Sequence, residues 1–564
     1  MGLLANAFVN FFRLLRNAYA RTFGGSADFI WVSVTGDLPE FEPPKLGFIR
    51  RRLVPRAATL SLAGVRDRLD RLRADGRTKG VILRVENLDA GWATLEELRG
   101  ELDRFREGGK RIVAYLVGGG DTRSYYLASS ADEVFASPLS TLNIVGLRVR
   151  INFLKDALNA LGLEAEVLAV SPYKSAGDPI SRSGFSEEAR EQVERLLDRR
   201  YNEIVVAVSA GRGIPLEEVH ELIDYAPYSA TEAVVKGLLD GALYEDELAS
   251  RLADGARSAK LVEWRAAKRK LRVPYRRRTR KVVGLVDVKG TITQGRSRRL
   301  PLPLPFLGGE QAGSDSIVAS LRVAEKSRRI AAILLHVDSP GGDAFASDLI
   351  WREVERIRPK KPVVVLMGNA AASGGYYVSA PASYIVARKN TITGSIGVIL
   401  ARPIAAKLLG KLKINPAVVG RGARSNLLDP RRRPTRDEMS VLKVQLCTFY
   451  DEFKDRVAAG RGLESSSSLE PLAGGRVWTG EEALRRRLVD ELGGFRVAMN
   501  KARTLAGISA EASSVLVRVS PPRNTRPTPE EPVQEVKNVL QSVIPELAAP
   551  HIWALAPYEI SDDW

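Results

Sequence analysis

Val363-Val364-Val365-Leu366-Met367-Gly368-Asn369-Ala370-Ala371-Ala372-Ser373-Gly374-Gly375-Tyr376-Tyr377 reads as a strand that runs into a turn and opens a helix. The apolar run at 363–366 suits a strand buried on both faces, as in a parallel sheet. Residues 368–375 are nearly all small, so a helix start can pack tightly there and a foreign backbone can come close. Ser373 stands among them. Taken alone it is either a helix cap or a nucleophile, and the rest of the chain must choose.

Working outward, strands and helices alternate. Segments 29–34, 80–85 and 111–117 read as strands, with helical patterns at 60–72 and 95–105 between them. That alternation predicts parallel βαβ units. The same march returns roughly 250 residues later. Trp31-Val32-Ser33-Val34-Thr35-Gly36 returns as Leu285-Val286-Asp287-Val288-Lys289-Gly290, and Gly80-Val81-Ile82-Leu83-Arg84-Val85 as Ala332-Ile333-Leu334-Leu335-His336-Val337. Ser124-Tyr125-Tyr126-Leu127-Ala128 matches Gly375-Tyr376-Tyr377-Val378-Ser379, and Ala210-Gly211-Arg212-Gly213 matches Ala459-Gly460-Arg461-Gly462. The fold class is therefore α/β, two tandem copies of one βαβ domain. The divisions predicted are 1–25, an amphipathic helix; 26–255, the first copy; 256–281, a basic linker; 282–506, the second copy; and 507–564, a peripheral tail with a short helix at 533–547.

The chain has 564 residues, too many for a single core. Its net charge of +18 favours anionic surfaces. No nucleic-acid-binding module is recognisable, so nucleic acid is not expected and an anionic membrane surface is. The N-terminal segment places Leu4, Phe8, Phe11, Phe12, Leu15 and Tyr19 at helical spacing, but Arg13, Arg16 and Arg21 interrupt it. It falls short of the roughly 18 to 20 apolar residues of a membrane span and suits a helix lying in the membrane interface. The alternative is a helix docked on the protein's own core. The basic stretch 265–281 reads as a solvated helix and linker. The single cysteine, Cys447, lies in an apolar pattern and is expected in the core, which excludes intrachain disulfides. The three histidines, His220, His336 and His551, make a histidine metal cluster improbable, and no metal or cofactor is expected.

The differences between the copies carry the chemistry. Aligning Tyr125-Tyr126 with Tyr376-Tyr377 puts Thr122 opposite Ser373, and Leu88-Asp89-Ala90-Gly91 opposite Pro340-Gly341-Gly342-Asp343. Only the second copy has a candidate nucleophile and a glycine pair, Gly341 and Gly342, whose free N–H groups at the carboxyl edge of a sheet can hold an oxyanion. It lacks a base: His336 lies inside a strand, where it packs or hydrogen-bonds locally, and His551 lies in the tail. A buried lysine of depressed pKa is the remaining side chain able to take a serine proton near neutral pH. The first copy has Lys174, in Ser171-Pro172-Tyr173-Lys174-Ser175, after the largely apolar run 165–170. Its counterpart in the second copy is Arg424, which stays protonated. Each copy thus carries half a site. Lys389 is the next candidate base.

At this point the chain resembles the long, duplicated form of bacterial signal peptide peptidase A, or protease IV. The motifs are Asp338-Ser339-Pro340-Gly341-Gly342, Ala372-Ser373-Gly374-Gly375-Tyr376-Tyr377, Thr393-Gly394-Ser395-Ile396-Gly397-Val398 and Tyr173-Lys174-Ser175. The resemblance runs over about residues 29–506 and implies the Clp protease/crotonase fold in each copy. It also implies Ser373 as nucleophile, Lys174 as general base, Ser395 orienting the lysine, and Gly374 with Gly341 or Gly342 holding the oxyanion. Peptide substrates such as signal-peptide remnants, a homo-oligomeric ring and an inner-membrane location follow from the same resemblance. Whether attachment is peripheral or through an N-terminal anchor stays open, because relatives carry an uninterrupted anchor there. Two other classes stay open: a CoA-dependent lyase or isomerase of the same fold using Asp343, and a catalytically silent membrane scaffold.

Overall fold

The computed structural model describes residues 2–22, 27–43, 60–273, 275, 281–300, 309–463, 469–509, 516–522 and 551–555. It divides into two compact units, 1–148 with 197–278 and 149–196 with 279–564. The expected tail helix at 533–547 lies outside the described residues, as does 276–280 of the linker.

In the first unit, α1 (Gly2–Thr22) precedes β1 (Phe29–Gly36), α2 (Leu62–Arg73), β2 (Gly80–Leu88), α3 (Trp92–Glu107), β3 (Arg111–Leu116), α4 (Thr122–Ala128) and β4 (Glu133–Ala136). Every strand and helix predicted in this region is present, with bounds shifted by a few residues. The sheet is parallel throughout, in the order Leu261–Glu263, β1, β2, β3, β4, Gly241–Ala242. Its strands are continuous apolar runs because helices cover it; Leu69, Leu72, Leu98, Leu102 and Phe105 of α2 and α3 are buried against it.

The second unit contains β5 (Glu164–Ala169), β6 (Val282–Lys289), β7 (Ile330–Ser339), β8 (Gly341–Asp343), α5 (Ala344–Ile357), β9 (Val363–Ala372), α6 (Gly374–Ser379), β10 (Ile392–Gly394), β11 (Ile399–Ile404), α7 (Arg436–Arg461) and β12 (His551–Leu555). Its main sheet runs Val477–Thr479, β10, β9, β7, β6, Leu516–Arg518, and only Val477–Thr479 is antiparallel to its neighbour in that row. Residues 363–367 of β9 are fully buried. Each such side chain contributes about 1.5–3 kcal/mol by leaving water, which makes this strand the axis of the unit. A second sheet holds Thr291–Thr293, β8, β12, β11 and β5 side by side.

The duplication extends to details. Tyr125 Oη donates to the Leu238 carbonyl at 2.7 Å and Tyr376 Oη to the Leu488 carbonyl at 2.8 Å. Arg212 pairs with Asp240 as Arg461 pairs with Asp490. Capping boxes at Ser229/Glu232 and Thr479/Glu482 start equivalent helices. One expectation is corrected: Cys447 is exposed. In α7 the buried stripe is Leu442, Leu446, Tyr450, Phe453 and Val457, and Cys447 falls one position off that stripe, a rotation of about 100°.

Candidate active site

Ser373 follows the last residue of β9 and precedes the first of α6. It adopts φ 54°, ψ −114°, a conformation that non-glycine residues rarely hold without cause. Gly375 permits the turn: a Cβ there would lie 2.6 Å from the Ser339 carbonyl oxygen. The Ser373 N–H donates to the Gly394 carbonyl at 2.8 Å, and the Tyr377 N–H closes the first helical turn on the Ser373 carbonyl. As the first residue of α6, Gly374 has an N–H without a partner inside the helix.

Lys174 reaches this point from the segment after β5, and it belongs to the same compact unit as Ser373. Both are buried, at 1% and 0% exposure. Lys174 Nζ lies 2.6 Å from Ser373 Oγ, and 2.9 Å from both Oγ and the carbonyl oxygen of Ser395. Among the described residues no carboxylate pairs with it. Burial alone therefore acts on the amine, and it holds Nζ well below the ordinary lysine range. Nζ donates to Ser373 Oγ and to both Ser395 atoms, and the Ser373 hydroxyl donates to the Gly397 carbonyl at 3.4 Å. Ser395 is itself pinned, at φ 50°, by its N–H donating to the Arg476 carbonyl at 2.7 Å.

The glycine pair lies beside the serine, because β7 and β9 are paired up to Ser339↔Ala371. Gly341 and Gly342 have φ of 111° and 157°. The Gly341 N–H already donates to Ser339 Oγ at 3.1 Å. Asp343 caps α5, accepting from the Ala346 N–H at 2.7 Å and from Gln294 Nε2 at 3.2 Å. Its carboxylate is thus committed to the fold rather than to acid–base work. His336 Nδ1 lies 2.7 Å from Asp287 Oδ1, as its place inside a strand predicts, and Lys389 is exposed. In the first copy Thr122 stands opposite Ser373, but Asp121 provides an ordinary extended cap and the Thr122 hydroxyl donates to the Gly146 carbonyl. Among the described residues no group of three or more His, Cys, Asp or Glu side chains could hold a metal ion.

Several positioning residues escaped the sequence reading. The Lys174 segment lies on the chain at 474–478. Gln192 bridges it, donating to the Tyr173 carbonyl at 3.0 Å and accepting from the Val477 N–H at 2.9 Å. Arg195 donates to the Val477 carbonyl at 2.6 Å. Gly475, at φ 80°, touches the lysine directly: a Cβ would come within 2.6 Å of Lys174 Cα and Cβ. Gly475→Ala is therefore expected to displace the amine. Since a misplacement of about 1 Å costs on the order of 100-fold, kcat should fall by about that factor with KM little changed, as steady-state kinetics would show.

Comparison with known proteins agrees with this architecture. The family model for peptidase family S49 matches residues 104–259 and 355–509, one span in each copy, and the Clp protease model matches 306–389. A duplicated Clp protease-like α/β fold with these matches defines a serine peptidase. The chain belongs to peptidase family S49. It is 34% identical over 470 residues to the chloroplastic serine protease SPPA of Arabidopsis thaliana, covering 83% of this chain and 69% of that one. It is 33% identical over 455 residues to Protease 4 of Haemophilus influenzae, covering 76% and 71%. Protease 4 of Salmonella typhi is 30% identical over 483 residues, covering 82% and 75%.

Proposed function

We propose that this serine peptidase is an endopeptidase in which Ser373 is the nucleophile and Lys174 the general base. The observation that carries the reading is the buried amine 2.6 Å from the serine hydroxyl, with no carboxylate among the described residues to keep it charged. Neutral Lys174 takes the Ser373 proton as Oγ attacks a peptide carbonyl. It then returns the proton to the leaving amine, and water, deprotonated in turn by the same lysine, releases the acyl group. Ser395 orients the amine. Because the Gly341 N–H is held by Ser339, the oxyanion falls to the N–H groups of Gly342 and Gly374.

Substrates are extended apolar peptides such as signal-peptide remnants, in keeping with the family likeness. Membrane association is supported by α1. Phe8, Phe11, Phe12, Leu14 and Leu15 are exposed on it, Phe8 to 65%, whereas Asn17 is buried and exchanges hydrogen bonds with the Val273 backbone. The helix thus turns its polar side to the protein and its apolar side outward, as an interfacial helix does. No helix among the described residues is long and apolar enough to cross a membrane. A homo-oligomeric ring at the inner membrane completes the proposal.

Two measurements test it. A fluorophosphonate probe should label Ser373 and no other serine; absence of labelling in folded protein would sink the reading. The pH profile tests the base. Activity needs the unprotonated amine, so kcat/KM should rise with pH and level off at a midpoint well below 10.5. The same depression acts on stability. Unfolded lysine titrates near ~10.4, so between the folded and unfolded values the unfolded chain binds the extra proton. This group's stability is complete above that pH and is lost as pH falls. Lys174→Met should therefore raise Tm at pH 7 while abolishing turnover.

A further inference from the structure

The loop on which Lys174 rests is itself held from behind. Gly474 and Gly475 adopt φ of 63° and 80°, and the second of them packs on the lysine backbone. Ser171 Oγ, from the lysine's own segment, donates to the Gly474 carbonyl. The Gly475 N–H donates to the Ile396 carbonyl at 2.8 Å, and the Arg476 carbonyl accepts from the Ser395 N–H. There remains the Gly474 N–H, which is buried and donates to Tyr450 Oη at 2.8 Å. Tyr450 lies on the buried stripe of α7. A phenol has one proton to give and lone pairs with which to accept. Its proton goes to Glu470, whose two carboxylate oxygens lie 2.9 and 3.0 Å from Oη. Lys454 Nζ steadies that carboxylate from 3.4 Å, pairs also with Asp451, and stands 4.4 Å from the centre of the Tyr450 ring. With its proton fixed on Glu470, the hydroxyl turns a lone pair to Gly474 and pins the loop.

The two copies differ at this place. The left-handed glycines that close their long helices, Gly213 and Gly462, put Tyr201 opposite Tyr450. The capping boxes at Ser229/Glu232 and Thr479/Glu482 put His220 opposite Glu470 and Asp224-Tyr225 opposite Gly474-Gly475. In the first copy Tyr201 Oη meets His220 Nδ1 at 3.3 Å. The phenol is thus common to both copies. The acidic partner and the glycine pair occur only in the copy on which the lysine segment lies.

We propose that Tyr450 and Glu470 are positioning residues for the general base, fixing through Gly474-Gly475 where the Lys174 amine stands relative to Ser373. The inference rests on the reading of Lys174 as the base. Without the phenol oxygen the buried Gly474 N–H has no acceptor, and the loop relieves that state by turning toward water. Gly475 then moves off the lysine, water enters beside Nζ, and the burial that keeps the amine neutral is weakened.

Tyr450→Phe keeps the ring in the core and removes only the oxygen. On a quenched apolar peptide its kcat should fall about 10- to 100-fold with KM little changed. The pH midpoint of kcat/KM should rise by about one pH unit, toward the ~10.4 of an ordinary lysine. Glu470→Gln still accepts from the hydroxyl through its amide oxygen and should cost less than about threefold, whereas Glu470→Leu, which frees the phenol proton, should approach Tyr450→Phe. The Glu470 side chain is 54% exposed, so its variants carry the test should Tyr450→Phe not fold. Tyr201→Phe, the same change in the first copy, should move neither kcat nor the midpoint. A loss of Tm in Tyr450→Phe with kcat and the midpoint unmoved overturns the proposal, as does an equal kinetic effect of Tyr201→Phe. An inactive Lys174→Ala beside a fully active Tyr450→Phe rejects this inference alone. If Lys174→Ala cleaves like the unmodified protein, the reading of the base fails and this inference falls with it.

Discussion

Alanine at either Ser373 or Lys174 is expected to lower kcat/KM for a quenched apolar peptide by about 10⁴- to 10⁶-fold, the range seen when a member of a nucleophile–base unit is removed. The two effects should not add, since each group acts only through the other. The double variant should therefore be about as impaired as the worse single one. Lys174→Arg should be as damaging as alanine, because a guanidinium has no lone pair to accept the serine proton. The amine and hydroxyl that meet belong to one chain, so a mixture of the two alanine variants should stay inactive even after subunit exchange. Recovery on mixing would place the working lysine on a neighbour. Wild-type cleavage by Lys174→Ala would dismiss the dyad altogether.

The second large effect is expected at Gly342. Its φ of 157° and its closeness to the next strand leave no room for a side chain, and a Cβ would overlap the Ile292 carbonyl oxygen. Gly342→Ala must shift β8 and with it the N–H proposed to hold the oxyanion. Loss of one such donor costs roughly 100- to 1,000-fold in kcat. The expected signature is a fall in kcat with fluorophosphonate labelling also slowed, while Gly341→Ala, altering a residue whose N–H is already held by Ser339, should lose less. Equal losses at the two positions would remove the distinction drawn between them. Thermal melts of both variants separate this effect from unfolding.

Much of the architecture was legible because parallel strands covered by helices leave a strong imprint. Runs such as Val363 to Leu366 and Val81 to Leu83 can hardly be anything else, and their recurrence at a near-constant offset exposed the duplication. The residues of the proposed half-sites stood out for a related reason: one copy serves as the reference for the other, so Thr122 could be set against Ser373 and Lys174 against Arg424 without further sequences. What could not be read was long-range placement. Nothing in the local pattern assigns residues 149–196 to the compact unit of the second copy, since the bonds of Gln192 and Arg195 and the close approach of Gly475 to Lys174 join segments nearly 300 residues apart. The role of Gly475 was hidden too, one glycine in a loop among many. Cys447 misled because a mixed apolar pattern does not reveal which side of a long helix meets the core. The strand at 551–555 was unreadable, its pairing being with backbone rather than with a sequence pattern.

The separation of Lys174 from Ser373 has a consequence in time as well as in space. They are 199 positions apart, and Gly475, against which the lysine segment packs, comes another hundred later. At a synthesis rate of about 5–20 residues per second, roughly 10–40 s pass between the making of the proposed base and the making of the proposed nucleophile. Throughout that interval the ribosome carries a chain with half its chemistry missing. On the proposed roles, a protease so divided is expected not to attack itself or its neighbours until the second half of its site has been made.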